Sequence, residues 1–208
     1  MTTLDTPALD LAQVRPAFSD PMRDSQSVFR KVMEAVARPG TIADLSGAVE
    51  PPAGLEVASA AVALTLFDFE TPVWIDPSLA GGETATWLRF HCGCPLTADT
   101  ANAAFAVATD MAKAPPLSAF NQGDAKYPDR STTLVLQVAA LQGGRPVVLR
   151  GPGVKDQITV APAGLPDGFW DQFETNTAQF QFGVDVLLVA GASLTALPRS
   201  VRVEIQGG

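Results

Sequence analysis

A short stretch ahead of an apolar run carries the residue types best suited to gripping an anion or a partner protein. Tyr127, Asp129 and Arg130 stand close together, and Pro128 stiffens the loop that holds them. Arg and Tyr are enriched among the residues that dominate protein interfaces, and Asp129 can hold the turn by accepting bonds from backbone N–H groups. The stretch predicts a working surface, and a purely structural role for the same residues stays open.

Five arginines fall at the ends of predicted elements, where the turns of an α/β fold converge: Arg38, Arg89, Arg130, Arg150 and Arg199. A cluster of guanidinium groups could bind a phosphate or a phosphonate. Arg150 leads into a turn whose glycines, Gly151 and Gly153, allow backbone N–H groups to approach such a ligand. Ordinary salt bridges with the abundant carboxylates are the favoured interpretation for any single arginine.

His91 is the only histidine, and it lies beside Cys92 and Cys94. Imidazole and thiolate are soft metal ligands, so the three residues suggest a metal site. A single residue separates the cysteines, however, and the chain has no further His or Cys to complete the shell. We therefore interpret them as a hydrogen-bonded histidine and two free thiols on a strand, and we predict no bound metal.

Three carboxylates, Asp68, Glu70 and Asp76, follow one predicted helix closely enough to act as general acids or bases. Capping and loop hydrogen bonding are the favoured alternative. Phosphate-loop and nucleophile-elbow motifs are missing from the sequence. Of its four lysines, only Lys113 is a conceivable anchor for pyridoxal phosphate, so we predict no cofactor.

Hydrophobic spacing defines the elements that must position these residues. Val28, Phe29, Val32, Met33 and Val36 predict one buried stripe on a helix that ends near Ala37, before Pro39-Gly40. Further helices are expected over Leu55–Phe67 and Leu165–Phe180, and Asp99–Ala108 suggests a helix running into a strand at residues 105–107. Strands are expected over Val73–Ile75, Thr86–Cys92, Thr132–Val138, Val147–Leu149, Val184–Ala190 and Val201–Ile205.

This mixture of helices with strands that are apolar on both faces predicts a three-layer α/β domain built on a mixed sheet. Residues 1–17 contain two prolines and no apolar period, so we expect a flexible N-terminal arm. Residues 18–208 contain no linker that would divide them, and we expect a single domain.

The composition limits the possible partners. The chain is 47% hydrophobic and 17% charged, against about 25% charged in an average globular protein, so part of its apolar surface is expected to meet a partner. A formal net charge of −8 argues against nucleic-acid binding. We see neither a signal peptide nor an apolar run of the ~20 residues needed to span a bilayer, and free thiols suit the cytoplasm.

Six stretches occur in an order that resembles the PhnH family, the H subunit of the bacterial carbon–phosphorus lyase system. They are residues 28–40, ending in Arg38-Pro39-Gly40, and Leu64–Thr71, Gly123–Leu134, Leu149–Val154, Phe182–Leu188 and Leu197–Ser200. Each is short, but together they extend over nearly the whole chain.

The resemblance implies a fold like the large domain of pyridoxal-phosphate-dependent transferases, without the cofactor. It implies a homodimer that joins the G, I and J subunits of the carbon–phosphorus lyase core. With the G, I and L subunits, such a protein helps to make ribose 1-alkylphosphonate 5-triphosphate from a nucleoside triphosphate and an alkylphosphonate, without a catalytic centre of its own. The alternative is a stand-alone phosphate- or nucleotide-binding protein or enzyme that uses Arg38, Arg130, Arg150 and the Gly151–Gly153 backbone.

Overall fold

The computed structural model describes residues 14–205. In chain order its helices and strands are α1 (Pro21–Ala37), β1 (Ala43–Asp44), α2 (Val57–Leu66), β2 (Val73–Ile75), α3 (Glu83–His91), β3 (Leu96–Thr97), β4 (Phe105–Ala108), β5 (Thr133–Gln137), β6 (Val147–Arg150), β7 (Ile158–Val160), α4 (Phe169–Ala178), β8 (Asp185–Ala190), β9 (Ser193–Leu197) and β10 (Arg202–Ile205). Within this part of the chain, every helix is too short or too polar to cross a bilayer.

A seven-stranded sheet in the order β1-β9-β8-β5-β4-β2-β3 forms the centre of the molecule. The strands from β8 to β3 pair in parallel, whereas β9 is antiparallel to β8 and β1 is antiparallel to β9. The predicted α/β class with a mixed sheet is confirmed. A second, three-stranded antiparallel sheet has the order β10-β6-β7.

The large sheet lies between two apolar cores. On β8, Leu187 and Val189 join the core beneath α1, α2 and α3, while Val186 and Leu188 join the core beneath α4 and the small sheet. This alternation follows from the period of two along a strand. Both faces of the central strands are therefore buried, which explains why their sequences are continuously apolar.

Asp20 caps the start of helix α1. The Asp20 side chain accepts a bond from the backbone N–H of Arg23 at 3.1 Å. The predicted stripe is only partly buried: Val28 and Val32 are 3% exposed, but Phe29 is 46% and Met33 48% exposed. The buried residues of α1 are Val28, Val32 and Ala35, because these face α2 and β9, against which the helix packs.

The strand predicted over Thr86–Cys92 is wrong, because this segment belongs to helix α3. Trp87 and Leu88 are fully buried side by side, which a half-buried strand does not allow. The segment alternates in size and polarity, but it packs by a helical face against the α2 side of the core. Cys92 therefore caps the helix and Cys94 follows in the next loop, instead of sharing a strand.

Other boundaries differ in detail. The helix expected from Asp99 is a short 3-10 turn, Thr100–Asn102, and the strand expected at residues 105–107 is confirmed as β4. Helix α4 ends at Ala178, so Phe180 lies beyond it and is 61% exposed. Strand β9 was not expected, because its residues Ser193–Leu197 carry no clear alternation.

Of the predicted N-terminal arm 1–17, residues 1–13 lie outside the described residues. Arg15 contacts helix α3 through its backbone and its side chain. Its carbonyl accepts a bond from the Trp87 indole N–H at 3.0 Å. Its guanidinium lies 3.1 Å from the Glu83 carboxylate and also contacts Glu50.

Candidate functional site

Arg199 joins three of the sequence motifs at the amino end of β5 and β8. Its guanidinium, 17% exposed, donates to the Gly183 carbonyl at 3.1 Å and to the Ser131 hydroxyl. The Asp185 carboxylate accepts the Arg199 backbone N–H at 2.8 Å and lies 3.5 Å from the guanidinium. We call Ser131, Gly183, Asp185 and Arg199 the motif junction. Sequence analysis placed Arg199 only among the arginines at element ends.

The predicted working surface adjoins the motif junction. Tyr127 precedes a 3-10 turn at residues 128–130, and the Arg130 guanidinium lies 3.9 Å from the centre of the Tyr127 ring. This is a cation–π contact, and Arg130 and Asp129 are exposed. The turn-holding role expected of Asp129 belongs to Asp124, whose carboxylate accepts two backbone N–H bonds, each at 2.8 Å.

Gly151 and Gly153 serve close backbone packing. Their φ angles are +139° and +79°, which L side chains rarely adopt. A Cβ atom on Gly153 would lie 2.1 Å from the Ala37 carbonyl oxygen, and one on Gly151 would lie 3.0 Å from the Ser200 carbonyl oxygen. The turn thus packs between the end of α1 and the residue after Arg199, which links two further motifs to the motif junction.

The expected arginines do not converge on one pocket. Arg38 is exposed at the end of α1 and pairs with Glu34 at 2.9 Å. Arg150 pairs with Glu204 at 3.0 Å and contacts Gln157. The Arg199 guanidinium contacts the Ser131 hydroxyl, and Arg130 directly precedes Ser131, so these two are the arginines that lie at or next to the predicted surface.

The weaker candidates have partners within the fold. Asp68 lies in the exposed loop after α2, where its carboxylate accepts the Glu70 N–H at 2.9 Å. His91 Nε2 lies 2.8 Å from the Arg15 carbonyl oxygen, and its ring packs edge-on against Trp87. Over residues 14–205, no group of three or more His, Cys, Asp or Glu side chains is arranged to hold a metal ion.

The two thiols are free, and Cys94 is buried. Contact with Cys94 and burial raise the pKa of the Cys92 thiol above its usual value. A thiol in that state stays protonated at neutral pH and is a poor nucleophile.

Asp76 lies apart from Asp68 and Glu70, the carboxylates near it in sequence. Asp68 and Glu70 precede β2, whereas Asp76 follows its carboxyl end and is 6% exposed. It accepts bonds from the Ser78 N–H at 2.9 Å, the Ser78 hydroxyl at 2.8 Å and the Thr109 hydroxyl at 3.0 Å. Burial opposes its charge, but these bonds outweigh burial and lower the pKa of Asp76 below its usual value.

Lys113 is not placed as a cofactor lysine would be. Its side chain is exposed, and its ammonium pairs with Asp110 at 2.9 Å. The ion pair raises the pKa of Lys113, whereas a lysine that forms a Schiff base is usually buried with a lowered pKa.

Exposed aromatic residues lie next to the motif junction, a feature that sequence analysis missed. Phe180 is 61% and Phe182 36% exposed in the loop between α4 and Gly183. A cavity of about 510 Å³ opens there between the end of α4 and β10, with Phe180 and Ser200 in its lining. Exposed Phe and a Tyr–Arg pair in cation–π contact are residue types enriched at protein-binding surfaces.

Comparison with known proteins shows the family. Residues 16–204 match the family model described as bacterial phosphonate metabolism protein (PhnH). The chain is 47% identical over 188 residues to the alpha-D-ribose 1-methylphosphonate 5-triphosphate synthase subunit PhnH of Rhizobium meliloti (strain 1021), covering 90% of this chain and 94% of that protein. It is 28% identical over 182 residues to the putative C-P lyase subunit protein HtxG of Stutzerimonas stutzeri, covering 88% of this chain and 87% of that protein. The family match and the 47% identity both extend over most of the chain, and the chain belongs to the PhnH family of bacterial phosphonate metabolism proteins.

Proposed function

We propose that this protein is the H-type subunit of a carbon–phosphorus lyase core complex. In that complex it takes part in forming ribose 1-alkylphosphonate 5-triphosphate from a nucleoside triphosphate and an alkylphosphonate in the cytoplasm. The observation that carries the proposal is the 47% identity, over 90% of the chain, to a protein named as the PhnH subunit of alpha-D-ribose 1-methylphosphonate 5-triphosphate synthase.

We infer a structural or modulatory role for the subunit, with catalysis placed elsewhere in the complex. The residues most capable of acid–base catalysis form hydrogen bonds within the fold. His91 contacts a backbone carbonyl, Asp68 accepts from its own loop, and Asp76 accepts from Ser78 and Thr109. A mixed sheet between two apolar cores supports a scaffold like the large domain of pyridoxal-phosphate-dependent transferases.

The partner surface that we propose consists of Tyr127, Asp129, Arg130, Phe180 and Phe182. The Tyr–Arg stack supplies a rigid amphipathic anchor, and the two phenylalanines supply exposed apolar area. We expect the chain to form a homodimer and to join the G, I and J subunits, and we assign this surface to the contact with the other subunits.

Co-expression of the tagged chain with the G, I and J subunits, followed by mass determination of the purified material, tests this proposal. We expect a stoichiometric complex. Arg130→Ala and Phe180→Ala should reduce recovery of the other subunits, whereas Arg89→Ala, which alters an exposed arginine on α3, should not.

Failure to recover a complex, while G, I and J assemble without this chain, would overturn the subunit proposal. A screen for phosphate and nucleotide binding by the isolated chain would follow, with Arg38, Arg130 and Arg150 as its first variants. Intact assembly in both surface variants would overturn only the assignment of the surface.

A further inference from the structure

Helix α1 leaves a row of large apolar side chains uncovered. Met22 is 86% exposed, and Phe29 and Met33 are about half exposed. With about 3.6 residues per turn, these three residues fall within about 40° of one another around the helix axis and extend over about 16 Å. We call Met22, Phe29 and Met33 the α1 stripe. Single exposed apolar residues are common on proteins, but a continuous row of them is typical of a contact surface.

The α1 stripe borders the face of the helix that the core uses. Val28 and Val32 are buried in the core on the helical side of the large sheet, and Phe29 and Met33 follow them by one residue, about 100° further around the helix. The apolar arc of α1 is therefore wider than the face that packs against α2 and β9. Because the buried residues fix the helix in place, the stripe is presented on a rigid support.

Two arginines border the α1 stripe on its solvent side. Arg23 and Arg30 each follow a residue of the stripe by one position, and both are exposed. Neither forms a salt bridge with another described residue. A carboxylate further along the helix, Glu34, pairs with Arg38 at 2.9 Å. This edge of the stripe is therefore positively charged, in a chain whose formal net charge is −8.

The shape and the charge of this surface indicate what covers it. A single row of side chains on one helix packs well into the groove between two rows of a second helix, and the arginines favour Asp or Glu beside the apolar residues of that helix. The net charge of the whole chain opposes nucleic acids and anionic membranes. An antiparallel pair of α1 helices from two copies would place Arg23 and Arg30 of both copies along one seam, where like charges repel.

From these observations, we propose that the α1 stripe docks an acidic amphipathic helix of another protein. The apolar residues of that helix pack on Met22, Phe29 and Met33, and its carboxylates pair with Arg23 and Arg30. The partner surface around Tyr127 contains no residue of α1, and docking on the α1 stripe does not depend on the subunit function.

NMR of the full-length protein, isotopically labelled at its methionine methyl groups, tests the docking. The probes are a stapled helical peptide with leucines three and four residues apart and Glu beside them, the same peptide with Lys in place of Glu, and phosphatidylglycerol vesicles. We expect saturable shifts of the Met22 and Met33 methyls with the Glu peptide and weaker binding of the Lys peptide. Met111, which is buried in the other core, should not respond.

Three results would overturn the proposal. The first is the absence of saturable shifts with the Glu peptide, or equal affinity for the two peptides. The second is tighter binding of the vesicles than of the Glu peptide, which would assign the stripe to a membrane surface. The third is a shift of the Met22 and Met33 methyls when the protein is concentrated without peptide, which would assign the stripe to a second copy of the chain.

Charge reversal isolates the contribution of the arginines. At physiological ionic strength, the double variant Arg23→Glu/Arg30→Glu should weaken binding of the Glu peptide by about 3- to 30-fold, because each reversal replaces an attractive pair with a repulsive one. The same variant should bind the Lys peptide more tightly. Arg89→Glu, which reverses an exposed arginine on α3, is the control and should leave both affinities unchanged. Equal affinities in the double variant and the control, with folding verified by circular dichroism, would contradict the role of the arginines and overturn the acidic partner.

Discussion

Arg199 of the motif junction ties together segments that are distant in sequence. Ser131 lies 68 residues away, and Gly183 and Asp185 belong to a third segment. Each contact satisfies a group that would otherwise be left without a partner at the edge of the core. Hydrogen bonds to charged groups in such settings contribute more than exposed ion pairs do.

Truncation of Arg199 should therefore cost more than truncation of an exposed arginine. We expect Arg199→Ala to lower the free energy of unfolding by about 2–3 kcal/mol, because the Gly183 carbonyl and the Ser131 hydroxyl lose the guanidinium that donates to them. Arg150→Ala, which removes an exposed pair with Glu204, should cost less than about 1 kcal/mol. Urea denaturation measures both, and equal losses would argue against a special role for Arg199.

Asp76 should make stability depend on pH. Its pKa is lowered in the folded state, so its contribution is fully present above the ordinary carboxyl pKa of 3.8 and is lost as pH falls through the lower folded value. We expect Asp76→Asn to destabilise the protein by about 1–3 kcal/mol at pH 7, because an amide cannot accept the same set of bonds.

The difference between wild type and Asp76→Asn should shrink below pH 4, because protonation removes the same charge from the wild type. Denaturation at pH 7 and pH 3 measures this change. A constant difference between the two proteins would mean that the ionised form of Asp76 is not what the fold stabilises.

At the scale of elements, the glycine turn after β6 decides how α1 meets the small sheet. Gly153→Ala places a methyl group 2.1 Å from the Ala37 carbonyl oxygen, and Gly153 also has a φ of +79°. Gly47 is a matched control, because its φ is +72° and an added Cβ atom would meet nothing within 4 Å.

We expect Gly47→Ala to cost about 1 kcal/mol from backbone strain alone. Gly153→Ala should cost clearly more, because the end of α1 must also move away. Thermal denaturation of the two variants compares them directly. Similar melting temperatures would contradict the close approach of Gly153 to α1.

Helix α1 shows how much of the structure the spacing of apolar residues can predict. The spacing of its apolar residues predicts the helix, because the helical period depends on local backbone geometry. The spacing does not reveal which part of a wide apolar arc is buried. That choice depends on where α2 and β9 lie, and it leaves Phe29 and Met33 half exposed.

At the scale of the whole molecule, the two cores share one sheet. Val135 and Leu187 of the central strands belong to the core on the helical side, and their neighbours Leu134 and Leu188 belong to the other core. Neither core can be exposed without breaking the strands that form the other. We propose that residues 18–208 unfold as a single cooperative unit.

Tryptophan fluorescence can test whether the two cores unfold together, because the three tryptophans lie in different cores. Trp87 belongs to the helical side, and Trp74 and Trp170 belong to the other side. Variants that retain Trp87 alone or Trp170 alone, with Phe at the other two positions, should each show one urea midpoint for fluorescence and circular dichroism. Separate midpoints for the two probes within one variant would indicate independent domains.

The sequence by itself determined the α/β class, the mixed sheet, most strand positions and the family. Strands buried on both faces and capped amphipathic helices have local signatures, and the motifs keep their order along the chain. It also suggested the Tyr127–Ser131 stretch as a candidate surface, which stays a prediction, because Arg and Tyr are enriched at interfaces and Pro and Asp favour turns. Residue type and neighbour spacing suffice for each of these conclusions.

Only the tertiary structure decided that Thr86–Cys92 is helical, that Arg199 joins the motifs and that Gly151 and Gly153 serve packing. It also left the Thr195 hydroxyl buried without a hydrogen-bond partner among the described residues. Each of these features depends on contacts between segments far apart in sequence, made when the two sheets and the helices close on one another. Local sequence patterns do not predict such contacts, because the fold, and not spacing along the chain, sets which distant residue lies nearby.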